Sequence, residues 1–241
     1  MSQSQCIFES SLGADVEQFY EPEGRAVPIQ LVKEAIAFCE YGSKLSRALK
    51  IAFNSGPRLN EIHLMKKSCR YKNFQLWKLG KNQGGQSRQE YFKDDLWAEI
   101  EYGMLHDRHA DDRICDLSGI TILRYFNREI RPHLSAQWHE KVPVVKNRGD
   151  NLGIEFEYKY QLKGFRKTFA TLMFAYFWKK YGDSNVALEK VSKRMKHSSK
   201  WMTLNHYVDM CTEIDAMSYC DSMPFEHLGA DNQCRITDIE H

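Results

Sequence analysis

Apolar residues recur at helical spacing through Leu31, Val32, Ala35, Ile36 and Cys39 directly after Pro28, and predict a helix punctuated by Gly42 and Ser43. A second helix is expected over residues 46–54, ahead of a Ser55-Gly56-Pro57 turn. A short third one should begin at Arg58, with Glu61, Ile62 and Met65 on related faces. The period then changes. Phe74-Gln75-Leu76-Trp77-Lys78-Leu79 alternates apolar and polar, Gly80, Gly84 and Gly85 mark a turn, and residues 86–92 read as the returning strand. Together they predict a β-hairpin with Lys81 near its tip. Helices resume at about 94–105 and 118–133, and residues 139–161 read as loop with a short strand. The strongest helix covers 163–181, where Phe169, Ala170, Met173, Phe174 and Phe177 form a core stripe ended by Gly182. Another is expected over 185–195, a last turn or two should hold Tyr207, and a further helix lies near 214–222. The fold class is mainly α with a small antiparallel β-sheet (α+β), with no internal repeats.

Composition changes this picture little and bounds it usefully. With 241 residues, 42% hydrophobic and 12% aromatic, the chain can bury a sizeable core. The pattern divides it into a polar N-terminal arm (1–27), a folded domain (28–222) and an acidic C-terminal tail (223–241). No apolar run approaches the roughly 18 residues that span a bilayer, and residues 1–9 do not read as a signal peptide, so no membrane partner is expected. Seven widely spaced cysteines without a CxxC pair fit reduced thiols in the cytoplasm, and no HExxH or HxH arrangement suggests a metal centre.

Net charge is only +2, but its distribution is uneven. From Lys159 to Lys200 eleven basic residues face only Asp183 and Glu189, while eight acidic residues follow against Arg235 alone. A basic centre with acidic flanks suits a surface that meets a polyanion; a solvated helix face is the plainer alternative.

Four local patterns carry candidate chemistry, and each has an ordinary structural explanation on its own. In Gly56-Pro57-Arg58-Leu59-Asn60-Glu61, Arg58 opens a helix where a guanidinium can fork onto a phosphate, or it simply pairs with Glu61 one turn on. Lys81 at the hairpin tip can donate a proton to a leaving oxygen, with Lys78 the competing choice. In Lys163-Gly164-Phe165-Arg166-Lys167-Thr168-Phe169-Ala170-Thr171, Lys163 and Arg166 stand one helical turn apart and together call for an anion. Finally, Lys196-His197-Ser198-Ser199 precedes Thr203 and Tyr207, so that His197 can hydrogen-bond a phosphate oxygen and Tyr207 can be presented beside it.

The ordered set resembles the tyrosine recombinase (phage integrase) family. Arg166-Lys167-Thr168-Phe169-Ala170-Thr171 is similar to that family's R-H-T-F-A-T, and Lys196-His197-Ser198-Ser199 to its G-H-S-S. The resemblance runs from about Val32 to Asp209 and implies a tyrosine recombinase-like catalytic domain over 28–222. It further implies that Tyr207 attacks a scissile phosphate, that Arg58 and Arg166 clamp the nonbridging oxygens, and that Lys81 is the general acid. Lys163 and His197 would hydrogen-bond the phosphate, and Glu61 would orient Arg58 or a neighbouring lysine. No metal, ATP or nucleotide cofactor is implied, because the bond energy is kept in the covalent link. The implied partners are double-stranded DNA at specific recombination sites and, in a tetramer on paired sites, a neighbouring protomer that takes the C-terminal segment. The protein is then expected on the nucleoid when DNA-bound. A type IB topoisomerase, a telomere-resolving enzyme and an inactive DNA-binding relative are the rival readings.

The pattern is departed from in several places, among them Pro57 before the first arginine and a longer stretch between Arg166 and His197. Lys163 stands where most members have His. The step from His197 to Tyr207 is ten residues where nine is usual, so strict register would favour His206. Only about 30 residues precede the first catalytic-domain helix, which suggests either an excised catalytic domain or a minimal recombinase without a core-binding half.

Overall fold

The computed structural model describes residues 25–78, 87–107, 112–148, 151–209 and 215–228. Three helices come first: α1 (Ile29–Ala37), α2 (Lys44–Ser55) and the single turn α3 (Leu59–Ile62). The Ser43 hydroxyl accepts from Ser46 N–H and caps α2, whose far end turns on Gly56 in the left-handed region at φ 57°. A Cβ at Gly56 would lie 2.4 Å from the Phe169 ring, so glycine is required there for space as well as for conformation.

A three-stranded antiparallel sheet follows in the order β1 (Arg70–Tyr71), β2 (Phe74–Lys78), β3 (Ser87–Tyr91), with Leu76 opposite Gln89 and Lys78 opposite Ser87. The expected hairpin is therefore present. Lys81 at its expected tip lies outside the described residues. Next come α4 (Asp94–His106) and α5 (Gly119–Tyr125).

The long helix expected over 118–133 does not stay regular. After α5 the chain widens into a π turn at Phe126–Ile130 and then tightens into a 3₁₀ turn at Arg131–His133. Pro132 has no N–H to continue the α ladder, which accounts for the change of pitch at that point.

Residues 139–161 hold more strand than the loop with a short strand that was expected. β4 (Lys141–Arg148) and β5 (Asn151–Tyr158) form a full antiparallel hairpin, in register from Lys141 opposite Tyr158 to Arg148 opposite Asn151. Pro143 and Gly153 interrupt the alternation that marks a strand in sequence, yet neither breaks this two-stranded ribbon, where every strand is an edge. The ribbon contacts mainly itself, Phe156 is 68% exposed, and its base is anchored by Arg131 beneath the Tyr158 ring at 4.0 Å.

The central helix α6 (Lys163–Tyr181) is buried along most of its length, with Phe165, Phe169, Leu172, Met173 and Phe174 at or near zero exposure. Gly182 ends it in the left-handed conformation. The Asp183 carboxylate accepts from Asn185 and Val186 N–H groups to start α7 (Ser184–Met195), and Ser199 caps α8 (Lys200–His206). α9 (Ala216–Tyr219) and the turns after it lie back on α6.

Both edges of the domain extend further than the sequence pattern suggested. Ala26 and Val27, assigned to the arm, are buried, and the Thr168 hydroxyl bonds both the N–H and the carbonyl of Val27. Met223 and Phe225, assigned to the tail, are also core residues, Phe225 packing on Phe169 and Tyr176. Residues 216–222 pack on α6 of the same chain, and Lys179 pairs with Asp221. No helix among the described residues is long and apolar enough to cross a membrane.

Candidate active site

Three distant stretches of chain converge at the N-terminal end of α6. The first is the turn after α2. Arg58 sits at the N-cap of α3, and Glu61 folds back so that its carboxylate accepts from Arg58 N–H at 3.0 Å and from Arg58 Nη1 at 2.8 Å. Glu61 is 2% exposed while the Arg58 side chain is 42% exposed, so the carboxylate anchors a guanidinium that still reaches solvent. Burial alone would raise the Glu61 pKa. The charge of Arg166 and the hydrogen bonds from Arg58 outweigh it and hold the carboxyl below its ordinary range.

The second stretch is the start of α6. Lys163 is the first helical residue and is exposed; Arg166, one turn on, is buried at 6%. Side by side in sequence spacing, the two cations therefore differ in environment. Arg166 Nη1 donates to the Gly56 carbonyl and Nη2 to the Met195 carbonyl at 3.3 Å, while its Nε has no partner among the described residues. Burial and the neighbouring Arg88 push its pKa down to about 10, against the pull of Tyr207 and Glu61.

The third stretch is the turn between α7 and α8 and its continuation. Lys196 closes α7 at φ 55°, a left-handed conformation that glycine takes without penalty. That geometry explains in physical terms why the resembled motif has glycine at this position. His197 follows and lies between Arg166 and Thr203: Nε2 faces Arg166 Nη2 at 3.3 Å and Nδ1 faces the Thr203 hydroxyl at 2.9 Å. A guanidinium can only donate, so Nε2 accepts and Nδ1 carries the proton, donated to Thr203. Burial first, then the charges of Arg166, Arg88 and Arg58, push the His197 pKa down to about 3.

Tyr207 completes the cluster. It is not inside a helix, as the spacing suggested, but is the residue just past the end of α8. Thr171 Oγ1 donates to the Tyr207 carbonyl at 3.3 Å and accepts from Asp209 N–H at 2.9 Å, fixing the segment on α6. The Tyr207 ring stacks on His197 at 4.2 Å, and the Arg166 guanidinium lies 5.2 Å from the ring centre. His206 is exposed and near enough to bear on the His197 charge, but Tyr207 has the direct ring contact. A cleft of about 260 Å³ opens beside Tyr207, lined by Arg25, Lys167, His206 and Asp209 among others.

Of the residues singled out in sequence, Arg58, Glu61, Arg166, His197 and Tyr207 meet here, with Lys163 at the rim of the same helix end. Several participants were given no role from the sequence. Thr168, Thr171 and Thr203 are fully buried hydroxyls; the first two lie within the quoted motif, but nothing in the sequence shows what they bond. Arg88 and Glu90 occur in a strand that alternates as Ser-Arg-Gln-Glu-Tyr, where burial at the polar positions defies the usual reading.

No protein-family model matches the chain, and no curated protein sequence matches it. Among solved structures, the chain is similar to one described as the crystal structure of XerA recombinase, with 16% identity and a TM-score of 0.56. The similarity covers 83% of this chain and 65% of that one, so the chain spans just under two thirds of the neighbour's length. At that identity the likeness concerns the fold: a mainly helical α+β domain with small antiparallel sheets, shaped like that of a recombinase.

Proposed function

We propose that this chain breaks and rejoins DNA strands through a transient 3′-phosphotyrosyl bond, with Tyr207 as the nucleophile. The observation that carries the reading is the meeting of Tyr207, His197 and Arg166 in mutual contact, with Arg58 and Glu61 within electrostatic reach. The recombinase-like fold and the basic stretch over 159–200 support it.

In the proposed step Tyr207 Oη forms a bond to phosphorus as the bond to the 5′-oxygen breaks. Arg166 and Arg58 take the nonbridging oxygens and stabilise their growing charge; the unpartnered Arg166 Nε is a donor suited to this. His197, neutral with Nε2 as acceptor, receives the tyrosine proton once Arg166 turns to the phosphate and the incoming anion offsets the cations that depress its pKa. Lys163 adds a hydrogen bond at the rim. The 5′-oxygen takes its proton from a hairpin lysine, Lys81 or Lys78. Attack by a 5′-hydroxyl on the phosphotyrosine reverses these transfers and rejoins a strand. Strand exchange between paired DNA sites in a tetramer is the fuller form of the same reading.

A nicked suicide substrate, which loses its 5′-hydroxyl fragment on cleavage, should trap a covalent adduct that Tyr207→Phe abolishes. An adduct that survives Tyr207→Phe but disappears in His206→Ala or Tyr219→Phe overturns the assignment of the nucleophile.

A further inference from the structure

Beneath the phosphate-facing groups lies a buried ionic relay with no direct role in the chemistry above. Arg88 and Glu90 point inward from β3, with side chains 1% and 2% exposed. Arg88 Nε donates to Glu90 Oε1 at 2.9 Å, and its two terminal nitrogens donate to the carbonyls of Gly56 (2.9 Å) and Ser55. Gly56 is the carbonyl that Arg166 also holds. On its other side Glu90 receives Arg194 of α7, through Nε at 3.1 Å and Nη2 at 3.2 Å, and Arg194 also donates to the Gln89 carbonyl. Arg194 directly precedes Met195, whose carbonyl Arg166 holds, and lies three residues before His197.

One carboxylate therefore joins the turn that presents Arg58, the β2–β3 hairpin and the turn that presents His197. Burying two guanidiniums and a carboxylate stabilises a fold no better than apolar packing of the same volume would. What such a relay does provide is fixed geometry, because each charge is held by several directional hydrogen bonds.

We infer that Glu90 is a positioning residue that locks the β2–β3 hairpin, with Lys78 at the free end of β2, onto the two turns that form the phosphate site. This inference rests on the proposed strand-cleavage reading. Lys78 pairs with Ser87 at the outermost described rung of the hairpin, and Glu90 pairs with Gln75 three rungs below on the same two strands. Loosening Glu90 therefore tilts the arm relative to α7. The arm would supply the proton that the 5′-oxygen needs, so its tilt should harm departure of that oxygen more than binding of DNA.

The test compares two nicked duplexes in the full chain, one with an ordinary phosphodiester and one with sulfur in place of the bridging 5′-oxygen. A thiolate leaves without a proton, so it bypasses the arm. Glu90→Gln should slow adduct formation on the ordinary substrate on the order of 10²-fold, as expected for a misplacement near 1 Å. DNA affinity should be unchanged, and the sulfur substrate should restore most of the rate. Arg194→Gln, at the half-buried end of the relay, should behave alike if Glu90→Gln does not fold, and Arg194→Lys should lie between it and the unaltered chain. Equal slowing on both substrates, or no slowing, overturns the inference.

Amide hydrogen exchange provides a readout independent of activity: Glu90→Gln should speed exchange in β2 and β3 and spare the middle of α6. If the unaltered chain forms no adduct on either substrate, the cleavage reading fails. Exchange then still decides whether Glu90 holds the arm, and an unchanged pattern overturns the inference by itself.

Discussion

The floor and the rim of the proposed phosphate site are built on opposite principles. On the floor, Arg166 and Glu61 are buried and His197 is half-buried, all three are held by hydrogen bonds to backbone or to neighbouring side chains, and all three are shifted in pKa. On the rim, Arg58 keeps much of its guanidinium in solvent and Lys163 is exposed. The difference teaches that the proposed cage combines charged groups built into the interior with charged groups kept at the surface. Floor residues should couple stability to function, and rim residues should separate the two.

The sharpest way to break that comparison is Arg166→Ala. It removes the donors to the Gly56 and Met195 carbonyls together with the cation facing Glu61, and should cost about 3 kcal/mol of stability as well as activity. Urea denaturation checks this; a change below about 1 kcal/mol would mean the floor is not structural.

Acid should act on the same floor. The folded His197 pKa of about 3 lies below its ordinary 6.5, so below pH 6.5 the unfolded chain takes a proton that the folded chain refuses. Stability contributed by the neutral imidazole is thus complete above pH 6.5 and lost as pH falls toward 3. The slope should reach up to about 1.4 kcal/mol per pH unit. Thermal or urea denaturation between pH 7 and 5 should show this dependence, reduced in His197→Gln. Equal slopes in both chains would refute the assignment.

Arg58→Ala tests the border between floor and rim. It leaves the buried Glu61 without its nearest cation and should cost about 1–2 kcal/mol. Adding Glu61→Gln should recover part of that loss in a double-mutant cycle. Smallest of all should be Lys163→Ala, expected within about 0.5 kcal/mol of the unaltered stability while weakening DNA affinity, most visibly at low salt. A large loss of stability there would erase the distinction between floor and rim.

Much of this was legible in the order of residues. The helical stripe ahead of Gly182 located α6 to the residue, because apolar positions recur from Phe169 to Phe177 and a left-handed glycine stops the helix. The β2–β3 hairpin was legible from alternation and glycines. The β4–β5 ribbon was not, since Pro143 and Gly153 disrupt its pattern and its pairing is supplied by a partner strand. Arg58, Arg166, His197 and Tyr207 stood out because their order along the chain resembles that of the tyrosine recombinase family, each residue alone having an ordinary structural explanation.

The sequence by itself determined most of the helices, the first hairpin and the chemical types of the groups proposed to face a phosphate, because periodicity, caps and side-chain chemistry are local properties. Only the tertiary structure decided that Arg166 is floor and Lys163 rim although one turn separates them, that Tyr207 stands past the end of α8 against His197, and that Arg88, Glu90 and Arg194 form one buried relay. Burial depends on what packs opposite a residue, and here the opposing groups come from stretches about 30 to 110 positions away.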